Sequence, residues 1–200
     1  MEKGNIQDLL IGIGRKIVCE KGTEALTVRK LSEASGCSVG AIYNQFSNMD
    51  NFVIIQNFMT LKVLSSTLEK VPETGEPFVD ANALLQSFVD FVLKNKNLWF
   101  LLYNFHLTHP KREYSFYYLR VVVKILSHIN KTLSKTVPEM ERPERLLSSQ
   151  VLWLCVFALS AFLAKDVLEP LSKAKEENIC QIMFNTYMAG LTVLERRSSE

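Results

Sequence analysis

The sequence predicts an all-α protein of about nine helices: a three-helix helix-turn-helix head followed by a larger helical domain. Three observations predict it. Only 8 Gly and 6 Pro interrupt 200 residues, and between them apolar residues recur every three or four positions, the period of a helix buried along one side. No stretch alternates apolar and polar residues between hairpin turns. The hydrophobic fraction is 48%, enough for a real core and too high for a disordered chain.

The first helix is expected over 5–22. Leu10, Ile13, Gly14, Ile17 and Val18 share one face, and Gly22 closes the helix. Gly14 lies on that apolar face, which points to close packing against another helix. Thr27 is a natural N-cap for a short helix carrying Val28 and Leu31 inward and ending at Gly36. Ser38 caps the next, with Ile42 and Phe46 on its buried side. Asn48 caps a fourth helix, with Asp50 in its first turn, running through Phe52, Ile55, Met59 and Leu64 to about Lys70. VPETGEP at 71–77 breaks the chain. Five further helices are expected near 78–94, 97–107, 112–135, 143–167 and 174–197, separated by NKN, HPK, VPEMERP and, at 169–172, EPLS. The domain boundary is expected at about residue 50, with the head at 1–50 (to about 64 with the fourth helix) and the remainder at 51–200.

Gly36-Cys37-Ser38-Val39-Gly40 spells G-x-S-x-G, the nucleophile elbow of serine hydrolases. An elbow needs a buried strand before the serine, and TVRKLSEAS before it has helical periodicity. A hydrolase also needs a histidine base, yet His106, His109 and His128 all lie in the other half of the chain. The alternative is a helix, a tight turn at Gly36, and a second helix capped by Ser38. That arrangement fits either a DNA reader or a small structural bundle.

Other classes receive little support. Cys19, Cys37, Cys155 and Cys180 form no C-x-x-C pair and no zinc-ligand spacing, so buried free thiols are expected, with no metal and no cofactor. MEKGNIQDLL lacks a signal-peptide layout. The most apolar run, Val151 to Ala164, is too short to span a bilayer, which takes ~20 residues. It reads as a buried helix, and the protein as cytoplasmic with no membrane partner. The formal net charge of +2 is low for a dedicated polyanion binder.

TVRKLSEASGCSVGAIYNQFSNMD, residues 27–50, resembles the helix-turn-helix of the TetR family of bacterial transcriptional regulators. The shared pattern is T-V-R-x-[IL]-x-x-x-x-G-[VC]-S-x-G-x-[IL]-Y-x-x-F, preceded by Glu20-Lys21-Gly22 at the end of the first helix. The similarity covers residues 5–60; beyond that only helix number and layout correspond. The resemblance implies that the helix from Ser38 enters the major groove of double-stranded DNA. Outward positions would then be Val39, Gly40, Ala41, Tyr43, Asn44 and Gln45. Asn44 and Gln45 can pair with adenine edges, and Val39 and Ala41 can touch a thymine methyl. Tyr43 would donate to a phosphate, as in the family. Thr27 and Arg29 would hold another phosphate at the start of the second helix. Gly40 would allow close approach to the DNA backbone. Two features differ from the family. Val39 stands where a polar residue is usual, and Ser47 and Met49 replace phosphate-directed lysines. The first 50 residues carry six bases and six acids, so weak non-specific binding with a shallow salt dependence is expected.

Eight of the chain's aromatics fall between Trp99 and Tyr118. They suggest the wall of an apolar pocket, with Trp99, Tyr103, His106, Tyr117, Arg120, Trp153 and Phe157 as candidate contacts of a small-molecule effector. Core packing is the competing reading. Trp153, Ser160 and Ala161 on one helix, and Ile182, Tyr187, Gly190 and Leu194 on the last, form candidate stripes for a homodimer interface. The leading expectation is a ligand-responsive transcriptional repressor, not an enzyme. It would bind a palindromic operator as a homodimer and be released by an apolar or amphipathic ligand that pushes on the fourth helix. The runner-up is a helical interaction protein whose head no longer binds DNA.

Overall fold

The computed structural model describes residues 3–164 and 176–198. Among these, the order is α1 (Lys3–Lys21), a single 3-10 turn (Thr23–Ala25), α2 (Val28–Ser35), α3 (Val39–Phe46) and α4 (Met49–Glu69). Then follow α5 (Pro77–Lys94), α6 (Lys96–Thr108), α7 (Phe116–Thr136), α8 (Arg142–Ala164) and α9 (Glu176–Ser198). No strand occurs among the described residues. The breaker expected at 169–172 lies outside them.

The caps form as their side chains dictate. Thr27 Oγ1 accepts from Lys30 N at 3.2 Å, Ser38 Oγ from Ala41 N at 3.2 Å, and Asn48 Oδ1 from Asn51 N at 2.8 Å. Gly36 ends α2 at φ 70°, a conformation only glycine takes without strain. α7 begins four residues later than expected, because Ser115 caps it by accepting from Tyr118 N at 3.3 Å. The 3-10 turn has no period in the sequence to announce it.

Two compact units result. The first comprises residues 1–62 and 95–113, the second 63–94 and 114–200. In the first, Leu10, Ile17, Leu31, Ile42, Phe46 and Phe52 form the core of the head. Phe46 and Phe52 meet edge to face at 4.8 Å. α6 belongs to this unit, where Leu98 and Leu101 pack on Val18. Gly14 is where α1 and α4 touch: a Cβ there would lie 2.4 Å from Phe52 Cζ. Met59, expected inward, is exposed. Phe52 and Leu64 are buried as expected, and beside them Gln56 and Thr60, bonded to α1, are buried too.

In the second unit α5, α7, α8 and α9 pack together. α8 runs 23 residues, close to the helix expected at 143–167, and begins well before its apolar run. By length and composition it is long enough to cross a membrane, and a third of its most apolar stretch is buried. Its inner row, Leu152, Val156, Ser160 and Leu163, packs within the unit as the core helix of a bundle does. Of the four cysteines only Cys180 is buried, which pushes its thiol up to about 11; Cys19 is exposed, and Cys37 and Cys155 are half-buried. The surrounding helices do not cover them, and all four are free thiols.

Candidate nucleic-acid interface

Ser38 is a helix cap at the end of a turn that follows α2, so no strand precedes it and no nucleophile elbow exists. Its neighbours divide cleanly between two faces. Ile42 and Phe46 are buried in the head core. Val39, Gly40, Tyr43 and Asn44 are exposed, and Ala41 and Gln45 are half-buried. Val39 and Tyr43 are each 39% exposed, high for apolar bodies on a helix of eight residues. The outer face therefore presents a methyl-bearing residue, a phenol and a carboxamide, with a second carboxamide at its margin. These can make apolar contact, donate to a phosphate and pair with base edges.

Gly40 sharpens this reading. A Cβ there would meet nothing within 4 Å, and its φ is helical. Neither packing nor backbone geometry requires a glycine, although it costs the helix about 1 kcal/mol relative to alanine.

Thr27 and Arg29 stand exposed at the start of α2. Arg29 is paired with Glu33 at 3.0 Å, with both side chains largely in solvent. Such a pair is worth little and exchanges readily for a phosphate. Arg15 is not available to DNA. It is half-buried and donates to Thr60 Oγ1 at 3.1 Å and to the Gln56 carbonyl at 3.5 Å, and burial lowers its pKa from the ordinary value. Lys16 faces Glu20 at 3.9 Å. The cationic groups of the head are thus few, and Lys16 and Arg29 are each shared with an acid.

The turn from α3 to α4 holds a feature that sequence reasoning missed. Ser47 has φ 66°, the one positive φ outside glycine among the described residues. Its amide donates to the Tyr43 carbonyl at 2.7 Å, closing α3 immediately after Phe46. Nothing in the residue type announces this, since serine rarely adopts the left-handed region.

The residues expected to contact an effector are divided between the two units. Trp99, Tyr103 and His106 stand on α6 in the first unit, where Trp99 is core. His106 is held below the ordinary histidine pKa by burial, against the opposing hydrogen bond to the Leu102 carbonyl. Tyr117 and Arg120 are exposed on α7. Trp153 alone of the set lines the apolar cavity of the second unit, and Phe157 packs on it at 5.5 Å. That cavity measures about 50 Å3 and is bounded by aliphatic and aromatic side chains, among them Leu85, Phe88, Ile125, Val156 and Met188. They come from separate helices, so no local pattern reveals them.

Of the residues expected at a dimer interface, Ser160 and Ala161 are 0% and 3% exposed within the protomer. Ser160 Oγ donates to the Phe157 carbonyl at 2.8 Å. Tyr187 donates to the Ser148 carbonyl at 2.8 Å, also inside the unit. Ile182, Gly190 and Leu194 are exposed. On α8 the exposed row is Leu147, Val151, Leu154 and Phe162, one or two positions away from the expected stripe.

A family model described as "Bacterial regulatory proteins, tetR family" matches residues 14–54. That interval contains α2, α3 and the first turns of α4. No curated protein matches the sequence. Several solved structures share the fold. PfmR, a TetR family transcriptional regulator from Thermus thermophilus, is 17% identical, with 90% of this chain and 97% of that chain covered, at a TM-score of 0.61. SCO7222, a TetR from Streptomyces coelicolor, is 13% identical over 97% and 99% of the two chains, at 0.66. BioQ, solved with its double-stranded DNA operator, is 12% identical over 92% and 97%, at 0.65. Residues 14–54 thus match the model of the tetR family of bacterial regulatory proteins, and the chain as a whole has the all-α fold of solved TetR-family transcriptional regulators.

Proposed function

We propose that the protein is a cytoplasmic, homodimeric DNA-binding regulator that represses transcription and leaves its operator when a small molecule occupies the second unit. The observation that carries the DNA reading is the outer face of α3: exposed Val39, Tyr43 and Asn44 flank a glycine that the fold itself does not need. The residues we assign to DNA are Thr27, Arg29, Val39, Gly40, Ala41, Tyr43, Asn44 and Gln45. A relative in fold, BioQ, was solved on an operator, which supports the same use of this face.

Dimerisation is supported by the uncovered apolar rows of α8 and α9, Leu147, Leu154 and Phe162 on one and Ile182, Val193 and Leu194 on the other. Paired across a two-fold axis they would bury both rows and carry two heads to neighbouring half-sites. The effector route runs along α4, a single helix contributing Phe52 to the head core and Leu68 to the apolar cavity. Displacing Leu68 would tilt that helix and spread the heads, provided the ligand binds the two states unequally.

Fluorescence anisotropy on DNA from upstream of the gene tests the reading. The wild type should bind with sub-micromolar affinity, and Tyr43→Ala should lose at least about tenfold, the worth of one phosphate contact. Equal, salt-insensitive binding by both proteins, or none by either on any palindromic fragment, would support a helical interaction protein instead.

A further inference from the structure

The apolar cavity of the second unit has a neighbour. A second, outer cavity of about 160 Å3 shares three of its lining residues, Leu68, Leu84 and Thr132. The inner space is walled almost wholly by carbon. The outer one is walled by charge: Lys131 and Lys135 of α7, Glu69 and Glu73, Asp80, and His128. An apolar space that shares a wall of three side chains with a charged vestibule fits an amphipathic guest whose chain parts that wall.

The charges of the vestibule are unevenly committed. Glu69 is paired with Lys124 at 2.5 Å. Asp80 accepts from Thr74 N and Thr74 Oγ1, both at 2.7 Å, and from Gly75 N at 3.3 Å, so it is used up in holding its own loop. Glu73, by contrast, stands alone between two cations, its carboxylate oxygens 2.6 Å from Lys131 Nζ and 2.6 Å from Lys135 Nζ. Two ammonium groups share one carboxylate. That carboxylate rides on the short connection from α4 to α5, and the pairs are exposed enough to break at little cost. His128 Nε2 is buried in the same place without a hydrogen-bond partner. Glu73 occupies the position that the anion of a guest would take.

The guest must also be flexible. The inner cavity holds few atoms as it stands, where one of ~150 Å3 admits benzene. A rigid ring system would have to displace several helices at once. A chain can thread in as Leu84 and Met188 change rotamer, and methionine adapts at low cost. Resting on the reading of this unit as the effector-binding one, we propose that its ligand is an alkyl chain with an anionic head. The chain passes Leu68, Leu84 and Thr132 into the inner cavity, and the head replaces Glu73 between Lys131 and Lys135.

Isothermal titration of the full-length protein, without DNA, tests this with four probes: decanoate below its micelle concentration, decanol, decyltrimethylammonium and butyrate. Decanoate should bind about tenfold tighter than decanol, and butyrate should give no measurable heat. Lys131→Gln/Lys135→Gln should abolish the preference for decanoate while leaving decanol unchanged. Glu73→Gln should tighten decanoate severalfold. Decanoate should also shift tryptophan emission in the wild type and not in Trp153→Phe. The inference is overturned if decanol equals decanoate, if the ammonium binds tightest, if butyrate matches decanoate, or if the double variant keeps its preference. Because no DNA is present, failure here leaves DNA recognition by the head untouched. Loss of a gel shift likewise leaves this titration untouched.

Discussion

At the scale of single residues, two glycines do opposite things. Gly14 has Phe52 against it, so Gly14→Ala should overpack the α1–α4 contact and cost about 1–3 kcal/mol, read as a lowered unfolding midpoint. Gly40 has nothing against it, so Gly40→Ala should stabilise the fold by about 0.5–1 kcal/mol while weakening DNA binding. Opposite signs for stability and affinity at one position would mark a residue kept for a partner. Gly14 was legible as a packing glycine because it interrupts an apolar face. Met59 was not legible as exposed, because a methionine at helical spacing carries no mark of its environment. The polar neighbours that took the inside, Gln56 and Thr60, are there because Arg15 and the Ile11 carbonyl need them as partners across 41 to 45 residues of sequence.

At the scale of elements, caps and breakers made the head readable. Thr27, Ser38 and Asn48 each stand three residues before the amide they accept from, a local rule that sequence spacing exposes directly. Ser38→Ala should therefore cost about 1 kcal/mol of stability without abolishing the fold. The connection between α4 and α5 is held differently. Hydrogen bonds from Thr74 N and Oγ1 keep the Asp80 carboxyl below its ordinary pKa. A depressed folded-state value stabilises the loop above the unfolded-state pKa and is lost as pH falls through the folded one. The protection of the Thr74 and Gly75 amides, relative to intrinsic exchange at each pH, should accordingly hold from neutral pH down through the ordinary aspartate range and fall only below it. In Asp80→Ala that protection should be lost throughout. The apolar cavity and the vestibule were invisible in the sequence because their walls come from several helices. The aromatic run from Trp99 to Tyr118, which looked like a pocket, is divided between two units, with Trp99 serving as core.

At the scale of the molecule, the order of the helices among the described residues was largely legible, because each carries its own period and its own stops. Which face of α8 turns outward was not: Trp153, Ser160 and Ala161 are as plausible a stripe as Leu147, Val151 and Leu154, and only packing on α5, α7 and α9 decides. If the exposed row joins two protomers, Leu154→Glu should give a monomer by analytical ultracentrifugation and lower operator affinity about 100-fold through lost bivalency. Each head offers few cations beyond Arg29 and Lys30, so a dimer contacting about four phosphates should show a log–log salt slope near −4, shallow for a DNA-binding regulator. That the outer face of α3 lies against DNA is tested most directly by hydrogen exchange of the full-length protein with and without operator duplex. New protection is expected over Val39–Gln45 and at the first turn of α2. Unchanged exchange there in a mixture that anisotropy shows to be saturated, with protection confined to the second unit, would contradict it.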